Sequence, residues 1–107
     1  MAQFDDRRDA MEKKFAHDEE LRFKATARRN KMLGLWVAGQ LGRSGPEADA
    51  YAKSVVVADF EEAGDDDVLR KVKADLEAGG VQVSDAALRT RMDELLVTAV
   101  NEVSAGR

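Results

Sequence analysis

The chain is poor in histidine and cysteine, the residues on which zinc sites and thiol catalysis depend. The 107 residues include one histidine, His17, and no cysteine. A single histidine cannot form a site with two histidine ligands, and a chain without cysteine offers no thiolate ligand and no thiol nucleophile. His17 is followed by Asp18, Glu19 and Glu20, a setting that indicates an exposed position on a helix. These features argue against a zinc site and against cysteine-based catalysis.

The densest acidic cluster comprises Glu61, Glu62 and residues 65–67. It lacks the spaced oxygen ligands of a calcium loop and the glutamate at the twelfth position. Helix capping accounts for the cluster without a metal, because Asp65 suits an N-cap and Asp66 and Asp67 would meet the positive end of a helix dipole. We therefore predict a helix start here and no metal site.

A glycine-rich stretch, GQLGRSG, spans residues 39–45. It lacks the lysine of a phosphate-binding loop, has Val37 where the first glycine would stand, and follows a predicted helix rather than a strand. A helix break explains it better. Since no acid, base and nucleophile come together in the sequence, we predict that the chain is not an enzyme and has no catalytic residues and no cofactor.

The basic residues give little support to nucleic-acid binding. The net charge is −4 and the pI is about 5.0, whereas nucleic-acid binders rely on a basic surface. Arg28, Arg29 and Lys31 lie close to acidic residues, which is typical of a solvated helix face. One alternative stays open, in which the domain binds an adenine nucleotide with these residues or Arg43 on the phosphates.

Binding to another protein is better supported. Spacings of four, three and four residues place Phe4, Arg8, Met11 and Phe15 on one side of a helix, flanked by Arg7, Lys14 and Asp18. This is the layout of a helix that docks in a groove through a few apolar anchors. The alternative is a charged, frayed helix end that binds nothing. The predicted partner-binding residues are Phe4, Arg7, Arg8, Met11, Lys14 and Phe15.

These residues begin a long helix-prone run, from Phe4 to Leu41, that is sparse in apolar residues at its start and rich in them at its end. Helical spacing of apolar residues and the positions of glycine and proline predict three further helices, at about 46–62, 66–78 and 85–103. Four amphipathic helices with short links predict an all-α four-helix bundle. We expect residues 1–19 to form a mobile N-terminal segment and residues 20–107 to form the bundle.

Trp36 is the only tryptophan, and we expect it at the bundle centre, packed by Phe60, Leu69 and Leu95. The longest apolar run, residues 32–41, is shorter than the about 20 residues that span a bilayer, and the N-terminus lacks the apolar core of a signal peptide. We therefore expect a cytoplasmic protein.

Several motifs resemble one family along essentially the whole chain. The sequence is similar to the small zeta inhibitor subunit of the F-type ATP synthase of alphaproteobacteria. The most specific motifs are ARRNK before LGLW and the run ADFEEAGD. The matching stretches are FDDR at 4–7, KFAHDE at 14–19, FKA at 23–25, ARRNK at 27–31, LGLW at 33–36, YAKSVV at 51–56, ADFEEAGD at 58–65 and MDELL at 92–96.

The resemblance implies a four-helix bundle with a mobile inhibitory segment at its N-terminus. It implies that this segment enters an α/β catalytic interface of the synthase's catalytic head, meets the central stalk and blocks ATP hydrolysis. The implied partners are the α, β and γ subunits, with the protein held peripheral to the inner membrane through the synthase. A structural protein with an unrelated helix-binding partner is a further alternative.

Overall fold

The computed structural model describes residues 19–61 and 65–106. Helix α1 spans Glu19–Gln40, α2 Gly45–Glu61, α3 Asp66–Ala78 and α4 Asp85–Ser104. The described residues contain no strand. The predicted all-α fold and the last three predicted helices are confirmed to within one or two residues.

Helix α1 organises the bundle, because it packs against each of the other three helices. Its buried residues Leu33 and Val37 lie one turn apart and belong to the main core. A smaller cluster between α1 and α4 extends the packing toward the N-terminal half of α1 around Ala25. The main core also contains Ala38, Ala48, Tyr51, Val55, Val68, Leu69, Val72, Leu76, Leu88 and Met92.

The helices α1 and α2 approach each other closely at Gly34. A Cβ atom built on this glycine would lie 2.6 Å from the Cα atom of Ala52, which is far inside van der Waals contact. The absence of a side chain at Gly34 therefore allows the two backbones to meet.

Local chemistry fixes the helix ends. The chain leaves α1 through Gly42, whose φ of 76° is a left-handed value that favours glycine. The next amide, of Arg43, donates to the carbonyl of Ala38 at 2.9 Å. At the start of α4 the Ser84 hydroxyl accepts a hydrogen bond of 3.1 Å from the Ala87 amide, as expected for an N-cap.

The prediction that Trp36 occupies the bundle centre is wrong. Leu33 and Val37 point into the core, and the helical rotation between them turns Trp36 toward the edge, where its side chain is half-buried against the core. The Arg91 guanidinium of α4 covers the indole ring at 5.1 Å from its centroid. Leu69 and Leu95 belong to or pack against the main core, and the Phe60 side chain lies outside the described residues.

Among the residues described, no helix is long and apolar enough to cross a membrane.

Candidate functional site

The residues predicted to bind a partner precede the described part of the chain. Their proposed roles, and the surroundings of His17, lie outside the residues that the structure describes. These residues are Phe4, Arg7, Arg8, Met11, Lys14 and Phe15. Helix α1 is described from Glu19 onward, so the structure provides the element to which this segment is joined.

A buried charge lies in the first half of α1. Arg29 is 1% exposed and shares a helical stripe, at intervals of four residues, with the buried Ala25, Leu33 and Val37. The prediction of a solvated basic face is therefore wrong for Arg29. The neighbouring Lys31 is exposed, in agreement with that prediction.

Two partners compensate the buried guanidinium. Its Nη2 atom donates to Asp65 Oδ1 at 2.8 Å, and its Nε atom donates to Asn30 Oδ1 at 2.9 Å. A buried charge is tolerated only when it is paired and hydrogen-bonded. Asp65 was predicted to cap α3, but its side chain makes no capping hydrogen bond. Its carboxylate pairs with Arg29 and so ties the link before α3 to α1.

Two further carboxylates of the acidic cluster also have basic partners. Asp66 pairs with Arg89 of α4 at 3.1 Å, and Asp67 pairs with Arg70 at 3.2 Å. Within the described ranges no group of three potential ligands could hold a metal ion. Ion pairing and the start of α3 together account for Asp65, Asp66 and Asp67.

The basic residues of the nucleotide alternative have other roles. Arg28 donates to Glu102 of α4 at 3.1 Å, and Arg29 is buried in its pair with Asp65. Arg43, in the link after α1, stacks over the Tyr51 ring at 5.3 Å. These arginines thus contact three different partners, Glu102, Asp65 and Tyr51.

One polar atom of the buried cluster, Asn30 Nδ2, makes no hydrogen bond of regular geometry to a described residue. Arg29 Nε can only donate, so the Asn30 oxygen must face it, and the Asn30 Nδ2 atom points the other way. Asn30 is fully buried, and its amide lies near enough to the Asp59 carboxyl to lower the pKa of that group.

Asn30 lines a small pocket of about 160 Å³ between α1 and α2, which we call the Asn30 pocket. Its lining consists of Phe23, Thr26, Ala27, Asn30, Val56 and Asp59.

Among the described residues that line the Asn30 pocket, Asp59 is the only ionisable one. Burial raises the pKa of its carboxyl above the ordinary value, and the Arg29 guanidinium and the Asn30 amide offset part of that rise. The carboxylates of Asp65 and Asp67 raise the pKa further. The Asn30 amide and the Asp59 carboxyl therefore interact with each other across the Asn30 pocket.

The burial of Arg29 could have been predicted from the sequence, but the mixed charge around it suggested a solvated helix face. Arg29 stands at helical spacing between Ala25 and Leu33, so a polar residue on an apolar stripe marked a buried position. Nothing in the spacing of α1 indicated that Asn30 and Asp59 would share a pocket, because they belong to different helices.

Residues 1–102 match the family model described as ATPase inhibitor subunit zeta. A protein whose structure was solved by solution NMR is 48% identical, with 81% of this chain and 99% of that chain covered and a TM-score of 0.71. The search among curated proteins gave no match. A family match over nearly the whole chain, together with the all-helical fold, shows that this protein belongs to the ATPase inhibitor subunit zeta family.

Proposed function

We propose that the chain inhibits ATP hydrolysis by inserting its N-terminal segment, residues 1–19, as a helix into an α/β catalytic interface of the ATP synthase catalytic head. The four-helix bundle stays outside and holds the segment. The observation that carries the proposal is membership of an ATPase inhibitor family. It is supported by the one-sided set Phe4, Arg8, Met11 and Phe15 immediately before α1.

The energetics favour binding over independent folding of this segment. Burying Phe4, Met11 and Phe15 against a partner contributes on the order of 2 kcal/mol each. Ordering the backbone costs about 1–2 kcal/mol per residue, so the three anchors alone cannot order a segment of this length. Contacts with the partner, including ion pairs made by Arg7, are needed as well.

Helix α1 lowers the cost of ordering. The equilibrium constant for starting a new helix carries a nucleation factor of about 10⁻³, which corresponds to a cost of roughly 4 kcal/mol. Extending an existing helix avoids that cost. Because α1 is helical from Glu19 and is held by Arg29, Leu33 and Val37, it provides the nucleus from which the segment propagates in the complex. Rigid attachment also sets how far the segment reaches.

The α, β and γ subunits are the proposed partners, since an inhibitor at an α/β interface would block rotation of the central stalk. Through them the protein would lie at the cytoplasmic side of the inner membrane, peripheral to it. The engagement of Arg28, Arg29 and Arg43 in helix contacts gives nucleotide binding no specific support.

Single substitutions in the full-length chain test the proposal. Phe15→Ala removes an anchor, whereas Lys13→Ala alters the opposite side of the same predicted helix. We expect Phe15→Ala to raise the concentration for half-inhibition of ATP hydrolysis by about tenfold or more, as for an interface hot spot. Lys13→Ala should change it less than about twofold. Equal potency of the two variants would contradict the proposal.

A further inference from the structure

Two consecutive arginines in the first half of α1 bind carboxylates on two different elements of the bundle. Arg28 donates to Glu102, near the end of α4, at 3.1 Å. Arg29 pairs with Asp65, in the link before α3, at 2.8 Å. Neighbouring residues of a helix point about 100° apart, so the two pairs hold α1 from two sides. Both arginines belong to the ARRNK motif at 27–31, which lies outside the proposed inhibitory segment.

These two ion pairs lie where α1 leaves the bundle. Among the described residues of α1, Ala25 is the first buried one, and it packs in the small cluster with Ala99 and Val100 of α4. Arg28 follows Ala25 within one turn of the helix. The ion pairs therefore stand at the end of the bundle from which the chain continues toward the anchors of the inhibitory segment.

The anchors of the segment lie on the side of the helix that faces the bundle. Eighteen residues make about five full turns, so on a continuous helix Met11 lies on the same side as Arg29. Phe15 is related to Leu33 in the same way. Arg29 and Leu33 are both buried in the bundle. A partner that binds Met11 and Phe15 therefore approaches from the side on which the bundle lies, and the bundle must leave room for it.

The direction of α1 determines how much room the partner has. Phe15 precedes Arg28 by 13 residues and Phe4 precedes it by 24, which on a continuous helix correspond to about 20 Å and about 36 Å. A rotation of α1 by about 10° at Arg28 would displace Phe15 by about 3 Å and Phe4 by about 6 Å. Apolar side chains are in contact only within about 4 Å, so a change of this size separates an anchor from its pocket or brings the bundle against the partner.

We propose that the Arg28–Glu102 pair sets the angle between the N-terminal part of α1 and the bundle, and so keeps the anchors accessible to the catalytic head. The inference rests on the proposed function. Arg28 and Glu102 are thus positioning residues, which act through α1, while the Arg29–Asp65 pair holds the other side of the helix. The Arg28 and Glu102 side chains are each 34% exposed, and a pair of this kind contributes little to stability. It can therefore be altered in a chain that still folds.

Inhibition of ATP hydrolysis by full-length variants tests the role of the pair. Glu102→Lys brings two cations together and should raise the concentration for half-inhibition by about threefold or more. Asp66→Lys makes the same charge change at the exposed pair with Arg89, away from α1, and should change it less than about twofold. The reversed pair, Arg28→Glu with Glu102→Lys, should restore the wild-type value to within about twofold. Wild-type potency of Glu102→Lys would overturn the proposal, as would a reversed pair that restores nothing.

Residual dipolar couplings of the free full-length chain measure the direction of α1 without the catalytic head. The backbone amides of α2 and α3 provide the reference frame for amides 19–27. We expect Glu102→Lys to change the orientation of amides 19–27 in this frame and the reversed pair to restore it. Wild-type couplings in Glu102→Lys would overturn the inference. If the wild-type chain does not inhibit hydrolysis, the proposed function fails, whereas the couplings still decide whether the pair sets the direction of α1.

Discussion

The Arg29 guanidinium in α1 lies 2.8 Å from the carboxylate of Asp65 in the link before α3. The two side chains have unequal surroundings, with relative exposures of 2% and 51%. The arginine depends on the aspartate for charge compensation, whereas the aspartate also has access to water. This pair connects the helix that carries the N-terminal segment to the second half of the bundle.

Asp65→Ala should lower the free energy of unfolding by about 2 kcal/mol, because it leaves a buried charge without its carboxylate. Water at the open side keeps the loss below the about 3–5 kcal/mol of a fully buried pair. Urea unfolding followed by circular dichroism measures it. The neighbouring Asp66→Ala, which breaks an exposed pair with Arg89, should cost at most about 1 kcal/mol. Equal losses would show that Arg29 does not need Asp65.

Gly34→Ala should destabilise the bundle although alanine is the better helix former. The added Cβ would meet the Ala52 backbone at 2.6 Å, and overpacking of this kind costs about 1–3 kcal/mol. Gly39 is the matched control, since it lies in the same helix with nothing within 4 Å of its Cβ position. Gly39→Ala should raise the stability by up to about 1 kcal/mol. The same sign of change in thermal unfolding for both variants would contradict the close approach of α1 and α2.

Much of the fold could be predicted from the sequence, since apolar spacing determines which side of each helix is buried. Val68, Leu69, Val72 and Leu76 recur at helical spacing within the predicted helix 66–78, and all four are buried in α3. Periodicity could not decide between Leu33, Val37 and Trp36 in α1, where apolar residues occur on nearly every side. The size of its side chain suggested that Trp36 lies in the core, but in the folded bundle Leu33 and Val37 occupy the core instead.

The candidate site was less predictable because its parts come from different helices. Local sequence could assign Asp65 to the start of α3, but a carboxylate near a helix start can cap the backbone or bind a distant base. Only the packing of α1 against the link before α3 shows that the Asp65 carboxylate pairs with Arg29. The Asn30 pocket likewise depends on how α1 and α2 face each other.

Arg91→Ala should expose Trp36 to solvent while changing stability little. The guanidinium lies 5.1 Å from the ring centroid, and a partly exposed contact of this type contributes about 0.5–1 kcal/mol. Trp36 is the only tryptophan, so acrylamide quenching of intrinsic fluorescence reports on it alone. Quenching should increase in Arg91→Ala and stay unchanged in Arg89→Ala, whose side chain pairs with Asp66. Unchanged quenching in Arg91→Ala would argue against the stacked geometry.

The Asp59 carboxyl predicts a pH-dependent term in stability. Burial raises its pKa in the folded chain, so the native state holds this proton more tightly than the unfolded chain. Its contribution to stability is present below the ordinary carboxyl pKa and is lost as the pH rises through the higher folded pKa. The Asp59→Asn variant should not show this loss of stability at higher pH, because its side-chain amide does not ionise.

Urea unfolding of the wild type and Asp59→Asn, from acidic to neutral pH, measures the Asp59 term directly. The stability of the variant relative to the wild type should increase with pH across the window above the ordinary carboxyl pKa and then level off. A difference that is constant with pH would mean that the folded and unfolded pKa values of Asp59 are equal. A difference that falls with pH would mean that ionised Asp59 stabilises the fold through Arg29.

The most direct test of the central claim is ATP hydrolysis by a cognate catalytic head, with the full-length chain or with a chain lacking residues 2–17. Circular dichroism first establishes that the shortened chain keeps its helices. The account predicts that the full-length chain inhibits hydrolysis and that the shortened chain does not. Full inhibition by the shortened chain would contradict it and would place the inhibitory surface within the four-helix bundle.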